Sequence, residues 1–264
     1  AYQQMYKISE KGAADKFYGM KHNRMEVPGA KANERMKFIS NQRKVAGAQV
    51  GEAVKNMPNQ AADITDDVFR PFMDDLTEAG VAVGKKGQLD FSRSQFAWDS
   101  GTQSMIQKTY DDLAPKKGLV ARTPRQVYTT RGKLFLALDK GTKTNELVGN
   151  GKRILNNVYG ALEKPLITAS DEYANAAHKY AQTSGMIREY NSLMGKDFQL
   201  FDDVANLRAG EVARRMTGHA STRVIKVMDK LDDLAKELGY KSDESLANQV
   251  VFAADILEQP ILEE

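Results

Sequence analysis

Cysteine is absent from the 264 residues. Disulfides, thiolate metal sites and cysteine nucleophiles are therefore excluded, and the absence fits a reducing compartment. Proline is scarce, at seven, and the glycines fall mostly between periodic segments. Both features suit helices joined by short turns. Histidine occurs only as His22, His178 and His219, never at the spacing of a helical metal-binding pair. No apolar run approaches the roughly 18–20 residues that span a bilayer. The opening AYQQMYKISEKGAADKF is polar and charged, which reads as neither a signal nor a transit peptide. The first residue is not Met, so the chain is expected to be a processed product or a piece of a longer polypeptide.

Catalytic motifs are missing as well. Gly84-Lys85-Lys86-Gly87 and Gly149-Asn150-Gly151-Lys152-Arg153 look superficially like phosphate-cradling loops. Neither matches the P-loop pattern or lies in a strand–loop–helix context, and turn chemistry accounts for both. No G-x-S-x-G elbow occurs. Adjacent acids recur at Asp66-Asp67, Asp74-Asp75, Asp111-Asp112, Asp202-Asp203 and Asp232-Asp233. Neighbours on one helix point about 100° apart, so such a pair does not make a two-carboxylate site. Several stand at helix starts, where the dipole favours anions. These patterns assign no catalytic residue, no metal ligand and no cofactor.

What is present is helical periodicity. Hydrophobic residues make up 41% and charged residues 28% of the chain, as in ordinary globular proteins. A first helix is expected over about 2–20 and a break at Val27-Pro28-Gly29. A long helix should follow from about Ala32 to Met57, with Met36, Ile39, Val50, Ala53, Val54 and Met57 recurring at helical spacing. Gly47 and Gly51 within it suit close helix approach. The next helix, capped by Asp63 or Thr65, carries Val68, Phe69, Phe72, Met73 and Leu76 to about Ala79. Pro71 either delays or kinks it.

Val81-Ala82-Val83 and Leu89-Asp90-Phe91, joined through a Gly-bounded turn, read as one short β-hairpin. Further helices are expected from about Asp99 to Leu113, from a Thr123-Pro124 start to Gly141, and from Thr144 to Glu163. Others should run over Ser170–Met194, from Asp202 or Asp203 to Met216, and over Ser221–Leu238. A last one should open near Ser242, with Leu246, Val250, Ala253 and Leu257 inward. The fold class is mostly α: a bundle of eight or nine helices with one hairpin near residues 81–91. A division into an N-terminal helical part, 1–80, and a bundle, 81–264, is expected, with one continuous domain as the alternative.

The net charge of +3 hides an asymmetry. Residues 1–60 hold 11 Lys/Arg against 5 Asp/Glu, residues 116–153 hold 10 against 2, and residues 197–264 hold 8 against 14. Such a layout either steers a polyanion, lets oppositely charged stretches attract, or is merely a set of solvated faces. In the basic middle, Arg122, Arg125, Arg131, Lys133, Lys152 and Arg153 stand among Tyr128, Phe135 and Tyr159, a mixture found on nucleic-acid surfaces. Against that reading, Phe135 fits the apolar side of its own helix, and no helix-turn-helix partner is evident. Tyr173, Tyr180 and Ile187, seven apart in turn, form a stripe that suits core packing or a partner helix.

Several segments follow one another in a suggestive order. Gly80-Val81-Ala82-Val83 and Gly87 to Ser94 precede a helix ending in Tyr110-Asp111-Asp112-Leu113. A Thr-Pro helix with Arg131 and Leu134 follows, then Asp171-Glu172-Tyr173-Ala174-Asn175-Ala176-Ala177, Leu231–Leu238 with Gly239, and Asn248-Gln249. Over residues 65–258 this order resembles helical segments of large bacteriophage virion proteins of the internal, DNA-ejection or tail-associated kind. The resemblance implies a structural, protein-interaction segment in a virion or bacterial cytoplasm, with self-association or other protein partners and no catalytic residues. A nucleic-acid-binding module using 116–153 is the competing expectation.

Overall fold

A computed structural model describes residues 26–85, 87–115, 120–147, 149–195, 198–202, 205–214, 221–242 and 245–246. The helices expected over 2–20 and beyond Leu246 lie outside the described residues, as does the Pro115–Gly118 loop past Pro115. The described chain is mostly α-helical, with two small antiparallel sheets of two strands each.

In chain order, α1 is Glu26–Asn56, β1 is Ala62–Asp63, and a π-helical turn, Thr65–Phe69, leads into α2, Arg70–Glu78. Strands β2, Ala82–Val83, and β3, Leu89–Asp90, precede α3, Ser100–Leu113. Then come β4, Ala121–Arg122; α4, Pro124–Lys143; α5, Gly149–Ala161; α6, Lys164–Ala169; α7, Asp171–Met194; α8, Ala205–Arg214; and α9, Ser221–Glu237.

The chain forms two compact units, one of residues 1–47 with 178–264 and one of 48–177. It passes between them inside α1 and returns inside α7. Each long helix accordingly has two buried stretches. In α1, Ala32, Met36 and Ile39 enter the core of the first unit, and Ala53, Val54 and Met57 enter that of the second. In α7, Tyr173 belongs to the second core, while Met186, Tyr190 and Met194 belong to the first.

Local chemistry explains most element ends. Asp63 Oδ1 accepts from the Thr65 N–H at 2.9 Å and from Thr65 Oγ1 at 2.6 Å. The chain then makes a π turn, in which Phe69 N–H bonds Ile64 O and Arg70 N–H bonds Thr65 O. Pro71, which has no N–H to continue an i→i−4 ladder, directly follows this wide turn at the start of α2. The expected interruption at Pro71 is thus a π turn. Asp99 caps α3 by accepting from Thr102 N–H at 2.9 Å. Thr123 and Gln126 form a reciprocal capping box, with Pro124 in the first turn of α4. Gly80, Gly195 and Gly239 end helices at φ values of 81°, 104° and 96°, a region that L-residues with a Cβ resist.

Three expectations are corrected. Val27-Pro28-Gly29 is not a break: it forms the first turn of α1, where the missing proline N–H leaves no bond unmade. Gly29 lies so close to the backbone of Asn206 and Gly210 that a Cβ there has no room. The helix expected from Thr144 begins only at Gly149, after Asn145 takes a left-handed φ of 56°. That helix ends at Ala161, and Pro165 sits in the first turn of the separate helix α6. The hairpin is not the only sheet, because β1 and β4 also pair, Ala62 with Arg122 and Asp63 with Ala121. Gly47 does take a close neighbour, the Tyr180 ring, whereas nothing lies near Gly51.

Candidate functional site

The second unit presents a surface built around α3 and α4. The loop before α3 is tightly held: Gln95 N–H bonds Ala79 O, Ala97 N–H bonds Ser94 O, and Asp99 N–H bonds Phe96 O. Gln103 Nε2 donates to Phe96 O at 2.6 Å. Phe96 is buried by this arrangement, whereas Trp98, the only tryptophan in the chain, is 100% exposed. Leaving an indole in water forgoes the burial of about 150–250 Å², so Trp98 does nothing for the stability of the isolated unit.

Two grooves flank α3. One, about 540 Å³, runs between α3 and α4 over Met105, Leu134, Leu136 and Ala137 and carries Lys108, Lys133 and Lys140, with Asp112 and Glu146 as its carboxylates. The other, about 730 Å³, lies between α3 and the β2–β3 hairpin and is lined by Gln103, Gln107, Asp111 and Phe91. On α4, Val127, Leu134 and Leu138 turn inward, while Phe135 and Leu136 are 53% and 67% exposed. The assignment of Phe135 to the apolar side is corrected. Its ring lies 6.0 Å from Tyr159, but it follows Leu134 by one residue and so points about 100° away from the core.

Most of the basic residues singled out in 116–153 bond within the chain. Arg122 donates to Ala121 O and Asp112 O. Arg131 pairs with Glu163 at 3.1 Å, donates to Tyr159 O, and stacks over the Tyr159 ring at 4.2 Å. Arg153 bridges Asp75 at 3.1 Å and bonds Asn150. Lys133 lies 3.9 Å from Asp112. Arg125 reaches Lys55 O at 3.5 Å, and Lys152 has no partner among the described residues. The structure brings Arg131 beside Tyr159 and Arg153 beside Asp75.

The acidic pairs follow the same logic. Asp66 pairs with Arg70, Asp67 with Lys164, and Asp75 with Arg153 and Asn157. Asp232 lies in the first unit, bonded by Arg35 and Lys236. Among the described residues, no three His, Asp or Glu side chains converge on a point that could hold a metal ion. His178 is exposed; His22 and His219 lie outside the described residues.

Two tyrosines are strongly perturbed. Burial pushes the Tyr173 phenol up to about 12, with Arg131 opposing the rise. Its hydroxyl has no hydrogen-bond partner among the described residues. Burial also raises Tyr190, whose hydroxyl donates to Asn33 Oδ1 at 2.6 Å. Both are core tyrosines that stay neutral at physiological pH. The expected stripe of Tyr173, Tyr180 and Ile187 divides: Tyr173 is buried, Ile187 half-buried, and Tyr180 43% exposed.

Sequence reasoning missed Trp98 and Leu136. Trp98 lies in a loop with no periodicity, and Leu136 reads as one more apolar residue of an amphipathic helix. No family model matches the chain, and no characterised protein or solved structure matches it either.

Proposed function

We propose that this chain is a non-enzymatic, structural protein-interaction segment, and that its partners are proteins, copies of itself included. The observation that carries the reading is the exposure of Trp98, Phe135 and Leu136 on one compact unit. Exposed tryptophan on a rigid loop is the kind of side chain that dominates protein interfaces. The sequence resemblance to helical segments of bacteriophage virion proteins supplies the proposed setting, a phage or prophage virion.

Binding of nucleic acid through 116–153 is the weaker reading. A phosphate-binding surface needs cations free to exchange counterions for phosphates, and Arg131, Lys133 and Arg153 already face carboxylates.

Two measurements test the proposal together: sedimentation over a wide range of concentration, and photo-cross-linking from a reactive group placed at position 98. Reversible assembly, or a cross-link from position 98 to protein, supports it. A chain that stays monomeric and forms no protein cross-link at 98 overturns it.

A further inference from the structure

We infer that the lysine-edged groove between α3 and α4 is the docking site for the acidic C-terminal segment, residues 247–264, of a second copy of this chain. The inference rests on the protein-interaction reading above and names the surface and the occupant.

The surface has three parts. The floor is apolar, formed by Met105, Leu134 and Ala137. Leu136, at 67% exposure, stands on its wall, and Trp98 stands two residues before Ser100, which lines the groove. Lys108, Lys133 and Lys140 give it cations, against the carboxylates of Asp112 and Glu146. Of those lysines, Lys108 and Lys140 have no ion-pair partner among the described residues. The outer face of α4 continues this character, with Arg125, Lys133, Leu136, Lys140 and Lys143 at helical spacing and exposed.

The sequence supplies a segment of opposite character. Residues 247–264 hold four acids, Asp255, Glu258, Glu263 and Glu264, and no Lys or Arg. Val250, Ala254 and Leu257, ahead of Pro260, recur at four- and three-residue intervals, the anchor spacing of a helix laid in an apolar groove. Apolar anchors with acids beside them match an apolar floor with lysines along it. Because groove and segment are different parts of the chain, the contact is heterologous: it closes into a ring or propagates as an open chain.

The experiment uses the full-length chain and exchanges charges between the two parts. One variant carries Lys108→Glu with Lys140→Glu; another carries Asp255→Lys with Glu258→Lys. Assembly is followed by light scattering and by the emission of Trp98, which moves to the blue as the indole leaves water. The wild-type chain should assemble in a concentration-dependent way and weaken as salt rises. Each variant alone should associate at least about tenfold more weakly, and an equimolar mixture of the two should recover association, because each then supplies the charge that the other needs. Trp98→Ala and Leu136→Asp should weaken assembly while leaving the far-UV circular dichroism unchanged.

A wild-type chain that is monomeric throughout overturns the inference, and so does assembly that both charge variants retain. Loss of association in both variants without recovery in the mixture overturns the pairing of groove and segment. A Trp98 emission that moves to the blue only within monomers means that the segment docks on its own copy, which also overturns it. A protein cross-link from position 98 in any of these cases leaves the broader interaction reading standing.

Discussion

Removing the Asp232 carboxylate should destabilise the first unit more than removing any exposed charge on the molecule. Arg35 is buried, with 1% of its side chain exposed, and Asp232 retains 4%. The guanidinium donates from Nε to Asp232 Oδ1 at 2.7 Å, from one terminal nitrogen to Ser242 Oγ at 2.8 Å, and from the other to Lys31 O at 3.3 Å. It also lies 5.2 Å from the centre of the Tyr240 ring. Lys236 holds the second carboxylate oxygen at 2.7 Å. Asp232→Ala breaks this buried ion pair by removing one member, a change that costs about 3–5 kcal/mol. At roughly 2–4 °C per kcal/mol, the melting transition should fall by about 10 °C. Replacing both partners, Arg35→Met with Asp232→Leu, should cost far less than the sum of the single changes, because neither member of the buried pair is left without the other. Urea denaturation followed by circular dichroism measures all four corners of that cycle. A cost below about 1 kcal/mol for Asp232→Ala, or additive single changes, refutes the reasoning.

The same pair fixes a pH dependence. Burial alone raises the Asp232 carboxyl, but hydrogen bonds from Lys236, Arg35 and the Leu246 N–H, with the Arg35 charge, outweigh it and hold the group below its ordinary value. Its stabilising effect is therefore full above the unfolded carboxylate range, near 4, and fades as pH falls through the lower folded value; the stability difference between wild type and Asp232→Asn should be full above about pH 4 and shrink as the pH falls below it. Gly29→Ala forces a methyl into the backbone of Asn206 and Gly210 and should cost more than about 2 kcal/mol by the same denaturation assay. Thr123→Ala breaks the capping box of α4 and should cost about 1 kcal/mol. Trp98→Ala should change stability by less than about 0.5 kcal/mol, since the side chain is wholly exposed.

Helix number and helix ends were legible where a local rule sufficed. Thr123-Pro124, Asp99 and the glycines at 80, 195 and 239 announce their roles through capping and left-handed backbone, which depend on a few neighbouring residues. What escaped was non-local. The β1–β4 pair joins Ala62–Asp63 to Ala121–Arg122, two residues a side and about 60 positions apart in sequence. Neither strand is long enough to show alternation. The first turn of α1 misled because Val27-Pro28-Gly29 has breaker composition, yet Gly29 is required there by the backbone of α8. Pro71 signals a delayed start or a kink, but nothing local to it signals the change of helix type before it.

The basic middle shows why a charge count does not define a site. Ten cations against two acids in 116–153 suggest an open positive surface. The balancing acids come from elsewhere in the chain: Glu163 to Arg131, Asp75 to Arg153, and Asp112 to Lys133. Those partners lie 32, 78 and 21 positions away in sequence, so a window confined to the basic stretch omits the acids that neutralise it. Exposure has the same origin. Phe135 and Leu136 follow Leu134, and only the packing of α4 decides that Leu134 faces the core while its two neighbours face water. Trp98 stands between Ala97 and the capping Asp99, on a loop whose backbone is held by Ala79 and Gln103. Those two contacts hold the backbone that precedes Trp98, and neither partner lies within the loop itself. A docking surface of this kind is thus a property of what the fold leaves uncovered, and composition begins to inform it only through the complementary charge of the segment that covers it.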